Sequence, residues 1–295
     1  MNTQHEFGGN WTDEKLLRVR KYLTAYATIL NKQNFRFAYI DAFAGTGYRE
    51  NKTNPEKNDQ LSLFNKTEIK EIESYSEGSA RIALQTKPSF DKYIFIEKSK
   101  KHFSELQKLK DDFPAKADQI VLINANANEY LLDRCNNYKW QNHRAVLFLD
   151  PYGMQVGWET IKAVANTEAI DLWYLFPLGI GVNRLLKKNH KSIPDSWKNK
   201  ITEILGTDQW ENRFYSNVEV QTLFGKQTAK EKDADFDKIS NFVVERLESI
   251  FPGVAKNPLL LRNSKKNPLY LLCFASGNPR GAKTAVKIAQ DILKR

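Results

Sequence analysis

Four short segments concentrate the residues able to hold and align a ligand. Asp41-Ala-Phe-Ala-Gly-Thr-Gly47 follows a β-prone run. Gly45 and Gly47 let backbone approach a ligand closely and adopt positive φ, with Phe43, Ala44 and Thr46 completing the turn. Asp41, at the strand end, can hold an ammonium group directly or through water. Glu97 ends the next β-prone run, where an acid accepts both hydrogen bonds of a ribose diol. Asn124-Ala-Asn-Ala-Asn128 comes third, and a side chain with a backbone N–H there can read an adenine edge. Asn126 supplies the side chain, beside Ala127. Asp150-Pro-Tyr-Gly153 is fourth. Pro151 stiffens its turn and Tyr152 can stack on a base. Asp150 can accept a hydrogen bond from an amine whose lone pair is tied up by conjugation. Singly, each segment also reads as an ordinary Gly, Asn or Pro turn. His5, His102, His143 and His190 are scattered without ligand spacing, so no metal is expected.

The elements around these segments alternate. Thr12 caps a helix through Leu30, with apolar residues at helical spacing. Phe35–Ile40, Tyr93–Glu97, Ile120–Ile123, Ala145–Asp150 and Ile170–Phe176 read as strands. Helices are expected from Ser79, as cap, to Leu84, from Lys100 to Lys110, from Glu129, and from Trp158 to Ala165. The strands are nearly continuous apolar runs, as in a parallel sheet covered on both faces. Residues 48–77 are polar and aperiodic, and read as a long loop able to close as a lid. From Gly179 the alternation breaks into a basic, mostly helical insertion. A helix over Phe236–Ile250, strands Leu259–Arg262 and Leu269–Ala275 forming an antiparallel hairpin, and a last helix over Gly281–Leu293 finish the chain. The expected fold is α/β: a doubly wound, Rossmann-like sheet, mostly parallel, with that hairpin at its end. Residues 1–178 and 236–295 form its core and 179–235 the insertion.

Composition narrows the class. With 295 residues, 41% apolar and 27% charged, the chain is a globular protein. No apolar run reaches the roughly 20 residues of a membrane span. No secretory signal is visible, and Cys135 and Cys273 are too few and too far apart for a disulfide framework, so a cytoplasmic protein without membrane attachment is expected. The net charge of +10 is unevenly placed. Arg184 to Lys200 holds six Lys/Arg against Asp195, and Lys256 to Arg295 holds nine against Asp291. Such segments attract a polyanion, and nucleic acid is the usual one. Lys187, Lys188, Lys265 and Lys266 are the candidate phosphate contacts.

Taken in order at strand ends, Asp41 to Gly47, Glu97 and Asp150 to Gly153 resemble the motifs of class I S-adenosylmethionine-dependent methyltransferases. More narrowly, the chain resembles the three-Cys-motif partner protein family (TcmP). The resemblance rests on Phe7-Gly-Gly-Asn-Trp-Thr with Lys15, Tyr39 to Arg49, Gly78-Ser-Ala80, Phe95-Ile-Glu97, Asp150 to Gly153, Pro268-Leu-Tyr-Leu271 and Phe274-Ala-Ser276. It implies S-adenosylmethionine as cofactor, and as partner a three-Cys-motif protein resembling radical-SAM proteins. One departure stands out: Asn126 occupies the place of the family's usual acid in Gly-Asp-Ala-Asn. The Asp-Pro-Tyr-Gly element also resembles that of enzymes methylating exocyclic amines in nucleic acid.

The expectation is therefore methyl transfer to a nitrogen, on a nucleobase. Asp150, Pro151 and Tyr152 serve the acceptor, while Asp41 through Gly47, Glu97, Asn126, Ala127 and Asp150 serve the cofactor. The rival from another class is a non-catalytic nucleic-acid-binding or scaffold protein on a degenerate methyltransferase fold, motivated by Asn126. A nicotinamide-dependent oxidoreductase fits less well, because the third glycine of the dinucleotide fingerprint is missing.

Overall fold

In the computed structural model, which describes residues 10–47, 78–222 and 225–294, the chain enters through α1 (Asn10–Leu30). It then alternates β1 (Arg36–Asp41), α2 (Ser79–Gln85), β2 (Lys92–Ile96), α3 (Lys100–Leu106), β3 (Ile120–Ile123), α4 (Ala127–Asn137), β4 (His143–Leu149), α5 (Trp158–Asn166) and β5 (Ile170–Phe176). A π-helical turn over Leu178–Val182 leads on to α6 (Asp195–Leu205), β6 (Tyr215–Thr222), β7 (Gly225–Lys232) and α7 (Phe236–Glu248). β8 (Gly253–Val254), β9 (Leu259–Arg262), β10 (Pro268–Ser276) and α8 (Ala282–Leu293) complete the fold.

The sheet runs β3-β2-β1-β4-β5-β10-β8, with β9 also paired to β10. Its first five strands are parallel. β10 is antiparallel to β5 and to both β8 and β9. The chain moves outward from β1 to β3, then returns to place β4 against β1. The switch point between β1 and β4 is where doubly wound sheets bind ligands, beyond the carboxyl ends of the strands. A parallel sheet with an antiparallel strand set between β5 and the edge is the Rossmann-like methyltransferase arrangement expected from the sequence.

The unbroken apolar strands follow from cover on both faces. In β4, Ala145, Leu147 and Leu149 enter one core cluster while Val146 and Phe148 enter the other. β5 divides alike, with Leu172, Tyr174 and Phe176 on one side and Trp173 and Leu175 on the other. The second cluster is aromatic: Tyr22 of α1 meets Trp173 and Phe274 at ring-centroid distances of 5.3 and 4.8 Å. Such contacts add about 0.5–1.5 kcal/mol each beyond area burial.

Several expectations need correction. Residues 179–235 are not mostly helical, because β6 and β7 form a two-stranded antiparallel sheet. Both strands are largely polar, so the period-2 apolar signal is missing. Their segment is no appendage either: Val182, Ile201, Ile204, Trp210 and Phe214 lie in the same core cluster as Leu147 and Leu172. Ser79 does not cap α2. Gly78 holds that position without a side-chain bond, and the Ser79 hydroxyl turns to Asp41 instead. The helix expected over Lys100–Lys110 is interrupted after Leu106 and resumes as the single turn Leu109–Asp112. α4 starts two residues before Glu129, because Asn126 caps it. α1 begins at Asn10, ahead of Thr12. The loop 48–77, and the motif residues Phe7–Gly9 and Tyr48–Arg49, lie outside the described residues.

Candidate functional site

The strand ends fix the site. β1 ends at Asp41 and β4 at Leu149, paired as neighbours, so the Gly segment and the Asp150 segment emerge side by side. Gly45 and Gly47 adopt φ of +58° and +72°, the left-handed region that costs other residues about 1–2 kcal/mol. The turn they make points the Gly45 N–H back at Glu97, which accepts it on Oε2 at 3.0 Å. Glu97 Oε1 accepts from the Ser99 N–H at 2.7 Å. The carboxylate therefore clamps the first loop to the second. Each oxygen has further acceptor capacity, so a diol remains a chemically sound partner. Burial raises the Glu97 carboxyl above its ordinary range, opposed by the Ser99 N–H and by His102 4.0 Å away.

Asp41 is fully buried. Its carboxylate accepts from Ser79 Oγ at 2.6 Å, from the Tyr39 hydroxyl at 3.3 Å and from the Phe43 N–H at 3.3 Å. Burial raises its pKa to about 7, with the Asp150 carboxylate adding to the rise and Ser79 opposing it. The two acids of the switch point thus sense one another. The interaction with Ser79 was not anticipated; a serine taken for a helix cap proved to be a carboxylate partner.

The third segment braces the fourth. Asn126 Oδ1 caps α4 by accepting the Asn128 N–H at 2.9 Å, a role in which Asn and Asp are nearly equivalent. Asn128 reaches across: its Oδ1 accepts from the Gly157 N–H at 3.1 Å and Thr160 Oγ1 at 2.8 Å, and its Nδ2 donates to the Gln155 carbonyl at 2.8 Å. Asn124 donates to the Glu97 carbonyl at 2.7 Å. The Asn cluster therefore ties the ends of β2, β3 and β4 together.

Asp150 has the partner that sequence reasoning missed. Lys15 Nζ of α1 lies 2.5 Å from Asp150 Oδ2, with side-chain exposures of 0% and 7%. The ammonium also sits 5.6 Å from the Phe148 ring centroid. Burial raises the Asp150 carboxyl, and Lys15 pulls it back toward ionisation. The signal was present: Lys15, Val19, Tyr22 and Tyr26 follow the helical stripe that packs on the sheet, so a lysine begins the buried face. Pro151 is buried, and Tyr152 is half-buried with its N–H donating to Gln155 Oε1 at 3.2 Å.

The candidate lysines have other surroundings. Lys187 packs over Trp197 at 4.8 Å and Lys188 approaches Glu231 at 3.7 Å. Lys265 and Lys266 are exposed in the β9–β10 turn. β10 runs against β5, so its start and that turn sit at the same sheet edge as the four segments.

No family model matches the chain, and no curated protein matches it. Solved structures do. A spermidine synthase from Thermotoga maritima is 13% identical over 91% of this chain and 60% of that one, with a TM-score of 0.41. The chain thus spans about 60% of that protein's length. The magnesium protoporphyrin IX methyltransferase ChlM from Synechocystis PCC 6803, solved with bound SAM, is 12% identical over 75% of this chain and 83% of that one, with a TM-score of 0.31. An rRNA methylase from Streptococcus thermophilus is 12% identical over 72% and 93%, with a TM-score of 0.31. These likenesses are distant; the strand order is what defines the fold. Among the described residues, no helix is long and apolar enough to cross a membrane.

Proposed function

We propose that this chain transfers a methyl group from S-adenosylmethionine to a nitrogen of a nucleic-acid base. The observation that carries the proposal is the charge of the strand-end site. Asp41, Glu97 and Asp150 are buried at these strand ends, and among the described residues only Asp150 has a buried ammonium, Lys15, as ion-pair partner. Buried charge without balance is costly, and such an excess suits a ligand bearing ammonium and sulfonium groups. Glu97 would take the ribose and Asn126 with Ala127 the adenine, while Phe43, Ala44, Thr46 and the two glycines would wall the pocket. Asp41 would act on the ammonium through Ser79 or water, given its full burial. When bound, the cofactor supplies a methyl group on a positively charged sulfur, open to in-line attack. The chain's own task is alignment, which supplies much of such a rate. Asp150, ion-paired with Lys15, accepts an N–H from the acceptor amine, and Tyr152 stacks on its ring.

Calorimetry with S-adenosylmethionine tests this directly. Dissociation in the tens of micromolar or tighter is expected, and no heat at that concentration refutes it. A second reading is a non-catalytic nucleic-acid-binding scaffold, favoured by the partners that Glu97 and Asn126 already have within the chain. Labelled-methyl transfer to total RNA or DNA, abolished in Asp150→Ala, excludes it. The resemblance to three-Cys-motif partner proteins extends the proposal to a radical-SAM-like protein partner, tested by co-purification of the two chains expressed together. A cytoplasmic location is part of the proposal; Cys135 and Cys273 are free and buried.

A further inference from the structure

The two basic segments, far apart in sequence, face one cavity, lined by Arg184 from the first and Asn267 from the second. A Cβ on Gly179 would fall 1.9 Å from the Pro268 carbonyl oxygen, so the turn after β5 and the start of β10 are in backbone contact there. On the other side of that turn, Gly181 packs against Met154 of the segment that begins at Asp150. A cavity of about 210 Å³ opens beside this junction, walled by Ile180, Arg184, Phe236, Asn267 and Leu269. It is smaller than the roughly 300 Å³ at which drug-sized sites begin. A volume of that order is suited to a single planar ring system.

The surroundings match that shape. Phe236, half-buried at the start of α7, offers a flat apolar face. Asn267, exposed on the wall, carries both a donor and an acceptor. Lys187 comes three residues after Arg184, past the end of its short helix, and Lys265 and Lys266 precede Asn267. Among the described residues, none of these three lysines forms an ion pair with a carboxylate. The turn that carries two of them is rigid: Asn263 exchanges backbone bonds with Lys266 and Asn267 and accepts the Asn267 N–H on its side chain at 2.8 Å. Lys266 holds a φ of +62°, where Gly or Asn would sit more easily.

We infer that this cavity is a base-binding pocket for single-stranded nucleic acid, with Phe236 stacking on one base and Lys187, Lys265 and Lys266 holding the flanking phosphates. The inference rests on the methyl-transfer reading for its purpose, since it puts the acceptor strand beside the Asp150 segment. It does not rest on that reading for its test. Poly-glutamate would meet the same lysines but has no ring to fill the slot.

The experiment is fluorescence anisotropy of a labelled 12-residue single strand, as RNA and as DNA, with the full chain at several salt concentrations. The triple variant Lys187→Glu/Lys265→Glu/Lys266→Glu should weaken binding at least ten-fold. It should also flatten the salt dependence by about 0.7 in log–log slope for each phosphate no longer neutralised. Phe236→Ala should weaken binding roughly ten-fold with the slope unchanged, as removal of one stacking platform does. Phe236→Leu keeps apolar volume without the ring and serves if the alanine variant misfolds. Unchanged binding in the triple variant, or in both Phe236 variants, overturns the pocket. Equal competition by poly-glutamate overturns its assignment to nucleic acid. Calorimetry with S-adenosylmethionine on the same samples separates the two ideas. Strand binding without cofactor binding leaves the pocket standing and the transfer reading refuted, and the converse leaves the reverse.

Discussion

Removing the Lys15 ammonium while keeping its bulk should be among the most damaging single changes available. Lys15→Met leaves Asp150 buried beside Phe148, with no other cation in ion-pair contact among the described residues. Breaking a buried ion pair from one side costs about 3–5 kcal/mol, because the remaining charge stays unsolvated. At about 2–4 °C per kcal/mol for a large domain, the melting temperature should fall on the order of 10 °C. The Asp150 carboxyl, already raised by burial, then rises further. An acid whose folded pKa exceeds its unfolded one contributes most below the unfolded value and loses that contribution as pH climbs through the folded value. The deficit should therefore be small near pH 4.5 and full at pH 8. Lys15→Met/Asp150→Asn removes both charges and should recover most of the loss. Chemical denaturation of wild type, Lys15→Met, Asp150→Asn and the double variant closes the cycle. A loss under about 1 kcal/mol in Lys15→Met, or a double variant no better than the single, refutes the view that charge compensation is what Lys15 provides.

Asp41 gives a pH prediction of opposite use. Its pKa is raised from 3.8 to about 7, so ionising it between pH 4 and 8 should cost the free protein on the order of 4 kcal/mol. A cationic cofactor favours the ionised form, so its affinity should climb as pH rises from 6 to 8, with proton release seen by calorimetry in buffers of different ionisation heat; a flat profile counts against the site. Glu97→Gln sets an amide donor against the Gly45 or Ser99 N–H and should weaken cofactor binding by about five-fold or more, about 1–3 kcal/mol. Gly179→Ala drives a methyl group into the Pro268 carbonyl and should destabilise the fold by at least about 1–3 kcal/mol, read from denaturant midpoints.

The sheet was legible because burial on both faces writes itself as unbroken apolar runs, and β1 to β5 each have one. The antiparallel β9–β10 pair was legible from its short turn. The β6–β7 hairpin was not, since its strands, Tyr215–Thr222 and Gly225–Lys232, are largely polar. The site residues were found by their place at strand ends, but their engagements were not. Ser79 bonding Asp41 spans 38 residues and Lys15 bonding Asp150 spans 135. Long-range polar pairs leave no local periodicity. Lys15 alone left a trace, as a charge on the wrong face of a helix.

That helix has a second polar contact. Seven residues after Lys15, the Tyr22 hydroxyl donates to Asp171 at 2.7 Å, while Ser276 donates to the same carboxylate at 2.6 Å. Asp171 stands near the start of β5 and Asp150 just past the end of β4, so the two carboxylates lie toward opposite edges of the sheet. Seven residues are two helical turns, about 10.5 Å. α1 is therefore indexed along the sheet at two points, as a shaft is by two pins. A slide of one turn, or a rotation of one residue, would break both bonds at once, leaving Asp150 buried without Lys15 and Asp171 without the Tyr22 hydroxyl. Greasy surfaces alone would tolerate several neighbouring registers; the pair of pins admits one.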